Sequence, residues 1–197
     1  MGAEVSLPPI EVNDQDQRVA LRGMSWRQFE TILALRGDGP VPRVAYLNGV
    51  IELMSPSRRH EGTKSILGML IEAYCFAKGI YFDPIASTTL KNPALECGAE
   101  PDESYAFSKG REVPDLAIEV IYTSGNLDKL KLYRGLGVRE VWFWVEDRLL
   151  GYVLQDGAYV QVEESAVLPG LRLDTLTPYV GQDDRFEAVQ AFRRGLA

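Results

Sequence analysis

The stretch VPDLAIEVIYTS, Val113–Ser124, decides how the rest of the chain is read. From Leu116 to Tyr122 it is an apolar run rich in β-formers, suited to a strand buried on both faces, yet Glu119 stands at its centre. An isolated carboxylate moved into an apolar interior costs several kcal/mol, so such a group pairs, protonates or binds a metal. Downstream, SGNLDKLKLYRGLG has helical character, and REVWFWVE is a second strand, apolar on both sides. Strand, crossover helix and apolar strand form the pattern of a right-handed parallel βαβ unit. An α/β fold follows, with a mixed sheet flanked by helices.

The flanking segments fit that frame. Ser25 and Gln28 have capping-box spacing ahead of a helix whose apolar face carries Trp26, Phe29, Ile32 and Leu33. RVAYLNGVIELM reads as a hairpin turning at Asn48-Gly49, which sets Leu47 opposite Val50 and Ala45 opposite Glu52. SPSRRHEGTKSILGMLIEAYCFAKG reads as a loop, then a long helix with a stripe of Ile66, Leu70, Ala73, Tyr74 and Ala77, ended by Gly79. IYFD is a short strand, the next stretch a connection reaching EPDESYAF, and RLLGYVLQDGAYVQVEE a second hairpin turning at Asp156-Gly157. An amphipathic helix closes the chain. Residues 1–20 are polar and without period, an arm ahead of one domain over residues 21–197.

Composition narrows the chemistry. The 197 residues are 46% hydrophobic and 25% charged, a globular balance. No apolar run approaches the ~18 residues that span a bilayer, and the acidic start lacks the basic and apolar parts of a signal peptide, so a cytoplasmic protein is expected. One histidine and two scattered cysteines, Cys75 and Cys97, exclude a zinc site and suit reduced thiols. Any metal here is a hard cation held by oxygens. The net charge of −7 opposes a general affinity for phosphate backbones, though SRRHEGTK, SKGR and DKLKLYRGLGVRE are local basic stretches.

Candidate chemical residues gather around Glu119. Glu52 is a second lone acid on an apolar hairpin face, and an arginine partner or water is the plain alternative. Asp102 follows a proline at the start of a strand. Asp115, four residues before Glu119, is a rival acid on the same strand face. At ~100° per residue, Leu127, Leu130, Leu132, Tyr133 and Leu136 sweep out an apolar arc that includes Lys129, while Lys131 points to water. Together the acids and Lys129 would suit a divalent cation with an ammonium beside the attacking water. A purely structural Glu119–Lys129 pair is the serious alternative.

Pro101-Asp102, with Glu119 seventeen residues after the aspartate, resembles the PD-(D/E)xK nuclease superfamily. More narrowly, YLNGVIELMSPSRRHE, EPDESYAF, VPDLAIEVIYTS, KLKLYRGLGVREVWFWV and LPGLRL resemble a bacterial family of restriction-endonuclease-like proteins of unknown biological role. The resemblance implies that fold and a Mg²⁺-dependent (or Mn²⁺-dependent) endonuclease acting on DNA, with a homodimer suited to cutting both strands. It implies Asp102, Glu119 and the Val120 carbonyl as metal ligands, Glu52 as an acid completing the shell, and Lys129 as the lysine of the site. The motif lysine belongs two places after Glu119, where this chain has Ile121, so the resemblance places it on the following helix. That departure keeps a second reading open, a nuclease fold without turnover acting as a binding or regulatory module. A two-carboxylate glycosidase is a third, weaker reading, because nothing places Trp26, Trp142 or Trp144 in a cleft. His60 could touch a substrate phosphate, but a structural or surface role is the simpler expectation.

Overall fold

The computed structural model describes residues 15–122, 125 and 127–196. Its strands are β1 (Gln17–Arg22), β2 (Arg43–Leu47), β3 (Val50–Ser55), β4 (Asp83–Pro84), β5 (Leu90–Asn92), β6 (Cys97–Ala99), β7 (Glu103–Ala106), β8 (Leu116–Ile121), β9 (Glu140–Val145), β10 (Arg148–Gln155) and β11 (Ala158–Val162). Its helices are α1 (Trp26–Arg36), α2 (Arg58–Lys78), α3 (Lys129–Leu136), α4 (Thr177–Val180) and α5 (Arg185–Leu196).

The apolar run of Leu116–Ile121 is β8, and it pairs in parallel with β9, Glu119 opposite Phe143. These two strands lie at the middle of a six-stranded mixed sheet ordered β11-β10-β9-β8-β7-β4. Alternation divides their side chains. Leu116, Ile118, Val120, Trp142 and Trp144 pack under α2 and α5. Ala117, Val141 and Phe143 point the other way, against Leu132, Tyr133 and Leu136 of α3. Each fully buried side chain of this size contributes about 1.5–3 kcal/mol, so both faces hold β8 in place.

A second, wholly antiparallel sheet, β1-β3-β2-β6-β5, lies beyond α3. One face carries α1 through Phe29, Val44, Tyr46 and Ile51. The other, through Ala45, Leu90, Cys97 and Ala99, joins the core around α3. The order of layers is therefore α1, antiparallel sheet, α3, mixed sheet, then α2 with α5. Helix α3 lies between two sheets, and side chains from both converge on it.

The mixed sheet, the Asn48-Gly49 and Asp156-Gly157 turns and the hairpin register agree with the sequence reading; both turn residues of each pair have positive φ. Five features differ. Residues 17–20 belong to β1, not to a free arm, because β1 pairs along the whole of β3 from Gln17–Ser55 to Arg22–Val50. Helix α2 begins at Arg58, so His60 lies inside its first turn: Ser57 caps it, accepting the His60 N–H at 3.1 Å. Its buried side also turns further than expected, to Leu67, Ile71 and Cys75, leaving Ala77 exposed in the last turn beside Phe76. The presumed connection after IYFD contains β5 and β6, strands of three residues each, too short to show a period, and Cys97 is in β6. Only Asp83 of IYFD is in a strand.

Candidate active site

Glu119 is the only ionisable side chain within β8, and it points toward α3. It is buried and has two donors, both from that helix. Lys129 Nζ lies 2.9 Å from Glu119 Oε1, and the Tyr133 hydroxyl donates to the same oxygen. Lys129 is the first residue of α3, whose N-cap Asp128 accepts the Lys131 N–H at 3.1 Å. Tyr133 is four residues further on, hence on the same side of the helix. Burial, then the neighbouring Glu119 charge, pushes its phenol well above the usual range, so Tyr133 is a fixed donor. Lys131 points outward and pairs with Asp128 at 3.0 Å. The inward lysine thus meets the acid.

Asp102 precedes β7, in the crossover from one sheet to the other. Extending the β7–β8 register of Glu103 with Ile118 sets it opposite Glu119. Its Oδ2 accepts the Val120 N–H at 2.6 Å, which ties it to the residue after Glu119. His60 Nε2 lies 2.9 Å from the same oxygen, without the alignment of a hydrogen bond. The Arg43 guanidinium is in direct ion contact with Oδ1, and its other nitrogen reaches Glu61 at 2.6 Å. The Val120 side chain itself points to the α2 face.

Glu52 reaches the same region from the antiparallel sheet. It is buried, opposite Ala45 and Ala20, on the face that meets α3. Arg18 Nη1 lies 2.8 Å from Glu52 Oε1. A Cβ on Gly125, in the loop between β8 and α3, would come within 3.0 Å of Glu52 Oε2, so only glycine passes there without displacement. Arg18, Glu119, Gly125, Asp128 and Lys129 line a cavity of about 320 Å³, walled otherwise by mainly apolar side chains that include Ile121, Leu130, Phe143 and Tyr152. The Glu119–Lys129 pair is therefore approachable from outside.

Asp115 is not part of this cluster. Its Oδ2 accepts the Phe107 N–H at 2.9 Å and its Oδ1 pairs with Arg111 at 2.7 Å, an anchor for the loop before β8. His60 is neither exposed nor on a loop; it is fully buried between Asp16 and Asp102. Asp16, Arg18, Arg43 and Tyr133 escaped the sequence reading. Only Tyr133 carried a usable signal, its i, i+4 spacing from Lys129. Both cysteines are free and buried. Among the described residues no helix is long and apolar enough to cross a membrane.

Comparison with known proteins adds a family. Residues 26–181 match the model of Uma2, described as a putative restriction endonuclease. The fold is similar to the crystal structure of a putative nuclease belonging to DUF820 from Anabaena variabilis ATCC 29413, with a TM-score of 0.53 and 15% identity over 83% of this chain and 97% of that one. At this identity the likeness is one of fold. No curated protein matches. The family match spans the strands and helices that carry Glu52, Asp102, Glu119 and Lys129, and the chain belongs to the Uma2 family of restriction-endonuclease-like proteins.

Proposed function

We propose that this chain is a Mg²⁺-dependent endonuclease that hydrolyses DNA phosphodiester bonds at the Asp102–Glu119–Lys129 cluster, its lysine supplied by α3. The observation that carries this reading is the 2.9 Å contact between Lys129 and Glu119 at the wall of an open cavity, with Asp102 bonded to the next residue of the strand.

The donor chemistry suits a hard divalent cation through oxygens, while among the described residues no three acids, histidines or cysteines are gathered closely enough to hold one as they stand. Asp102 Oδ1 is buried and meets a single partner among the described residues, the Arg43 guanidinium, which a cation would replace. Asp102, Glu119 and the Val120 carbonyl would hold the ion through oxygens alone, the set that Mg²⁺ and Mn²⁺ favour, with Glu52 of the facing sheet as the further acid of the shell. The bound ion supplies a polarised phosphate and a water of lowered pKa.

The chain's own side chains do the rest. Lys129 holds the attacking water beside Glu119 and offsets charge building on the phosphoryl oxygens. Removing one such contact typically lowers kcat by roughly a hundredfold to a thousandfold. Tyr133 fixes the Glu119 carboxylate, and the Val120 N–H fixes Asp102. Two copies related by a two-fold axis would present two such sites to the strands of a duplex.

A second reading has its own support. Every acid of the cluster already meets a protein cation: Arg43 at Asp102, Arg18 at Glu52 and Lys129 at Glu119. A nuclease fold whose charges are closed internally would serve as a binding or regulatory module. Plasmid nicking separates the two. Nicking that needs Mg²⁺ and disappears in folded Asp102→Ala and Lys129→Ala variants supports the endonuclease. Intact plasmid with every ion and protein concentration leaves the module.

A further inference from the structure

We propose that His60 is a positioning residue for Asp102, held in turn by Asp16, so that the segment just before β1 sets the geometry of the candidate metal ligand. The proposal rests on the nuclease reading above and adds two residues to its site.

The His60 ring is fixed from several sides. Its Nδ1 lies 2.8 Å from Asp16 Oδ2. Asp16 is itself locked, because its Oδ1 accepts the Ser57 N–H at 2.9 Å. Ser57 in turn caps α2 through the His60 N–H. The Tyr122 ring, just past β8, meets the imidazole edge-on at a centroid distance of 6.4 Å. These contacts hold the ring so that Nε2 lies 2.9 Å from Asp102 Oδ2, in ion contact but out of hydrogen-bond alignment. A histidine needed only to anchor the chain before β1 would be satisfied by Asp16 alone. Here the second nitrogen is also held against the carboxylate opposite Glu119.

The chemical effect falls on one atom. Asp102 Oδ2 accepts the Val120 N–H and has the His60 ring against it, which restricts the carboxylate on that side. Oδ1 is left to the guanidinium of Arg43, with which it is in direct ion contact. A divalent cation would take Oδ1 in place of the Arg43 guanidinium. Partners of this kind, behind a ligand, typically change metal affinity or activity by about tenfold to a hundredfold.

Two amides separate positioning from anchoring. The amide nitrogen of asparagine falls near the place of Nδ1, and that of glutamine near the place of Nε2. His60→Asn keeps the Asp16 contact and gives up Asp102; His60→Gln does the reverse. Mn²⁺ binding to the full chain is measured by titration calorimetry without DNA, next to thermal unfolding and to kcat and KM for nicking. The expected result is a Mn²⁺ affinity about tenfold or more weaker in His60→Asn, with kcat lowered and KM for DNA unchanged, while His60→Gln stays close to the parent. The opposite order, with Asn harmless and Gln impaired, overturns the proposal and makes His60 an anchor only. Should His60→Asn fail to fold, Asp16→Asn, which keeps the ring but loosens its hold, is expected to weaken Mn²⁺ binding. Unchanged affinity in that folded variant overturns the proposal and leaves the nuclease reading intact. A parent chain that neither binds Mn²⁺ nor nicks DNA removes both.

Discussion

The contact between Glu119 and Lys129 has a measurable stability signature that does not depend on catalysis. Removing one member of a buried ion pair commonly costs about 3–5 kcal/mol, because the survivor is left charged and uncompensated. Here the cost is smaller for two reasons. The Lys129 side chain retains 16% exposure, so part of its charge is already solvated, and Tyr133 still donates to the carboxylate when the lysine is gone. Lys129→Met should therefore destabilise by about 2–3 kcal/mol, below the range for a fully buried pair. Neutralising the acid as well should recover much of that loss, since the double variant Glu119→Gln/Lys129→Met buries no unpaired charge. The coupling energy across the cycle should be about 1–3 kcal/mol. Urea unfolding followed by tryptophan fluorescence is a suitable assay, because Trp142 and Trp144 are both fully buried on β9, the strand paired to β8. With a slope near 2 kcal/mol per molar urea, Lys129→Met should lower the midpoint by roughly 1 M. A shift of less than about 0.5 kcal/mol, or a coupling energy near zero, would refute the reasoning and mean that the ammonium is held by water instead of by the acid.

Three further outcomes follow from the same geometry. Arg43→Met removes the guanidinium from Asp102 Oδ1, so the metal-free chain should lose about 3 kcal/mol in urea melts while Mn²⁺ binds more tightly by calorimetry; no gain in affinity would favour the inert module. Asp16 is subject to burial, which raises its pKa, but the bonds from His60 and the Ser57 N–H outweigh it and hold the carboxyl down at about 2, against an ordinary value of 3.8. A depressed carboxylate stabilises the fold above its unfolded pKa, so the gap between the parent chain and Asp16→Asn should be at most about 2 kcal/mol near neutrality, attributable to this titration, and should shrink as pH falls from 4 toward 2. A gap that stays constant over that window in acid-unfolding curves would contradict it. Burial pushes the Cys75 thiol up to about 12 and raises that of Cys97 as well, so both should react with a disulfide reagent only at the rate of unfolding; fast labelling of either in the folded chain would show the core to be open there.

The local parts of this protein were legible in its residues. The apolar run around Glu119, the asparagine-glycine turn that put Glu52 opposite Ala45, and the angular position of Lys129 on its helix each depend on neighbours a few places away. Periodicities of 2 and 3.6 residues and turn chemistry express that directly. The same periodicities could say which face an acid occupies, but not what waits across from it. Arg18 meets Glu52 across 34 residues and His60 meets Asp16 across 44. Arg43 meets Asp102 from a different sheet. These partners are chosen by how β1 lies along β3 and by α3 lying between two sheets, and no short-range pattern records either. The three-residue strands β5 and β6 were hidden for a related reason: pairing to β2 and packing against α3, not propensity, make them strands. The sequence by itself determined that a buried acid on a parallel strand would need a cation from the next helix. Only the tertiary structure decided that its neighbour Asp102 would be gripped by Arg43 and His60 as well, because charges far apart in the chain become partners only when the layers close around them.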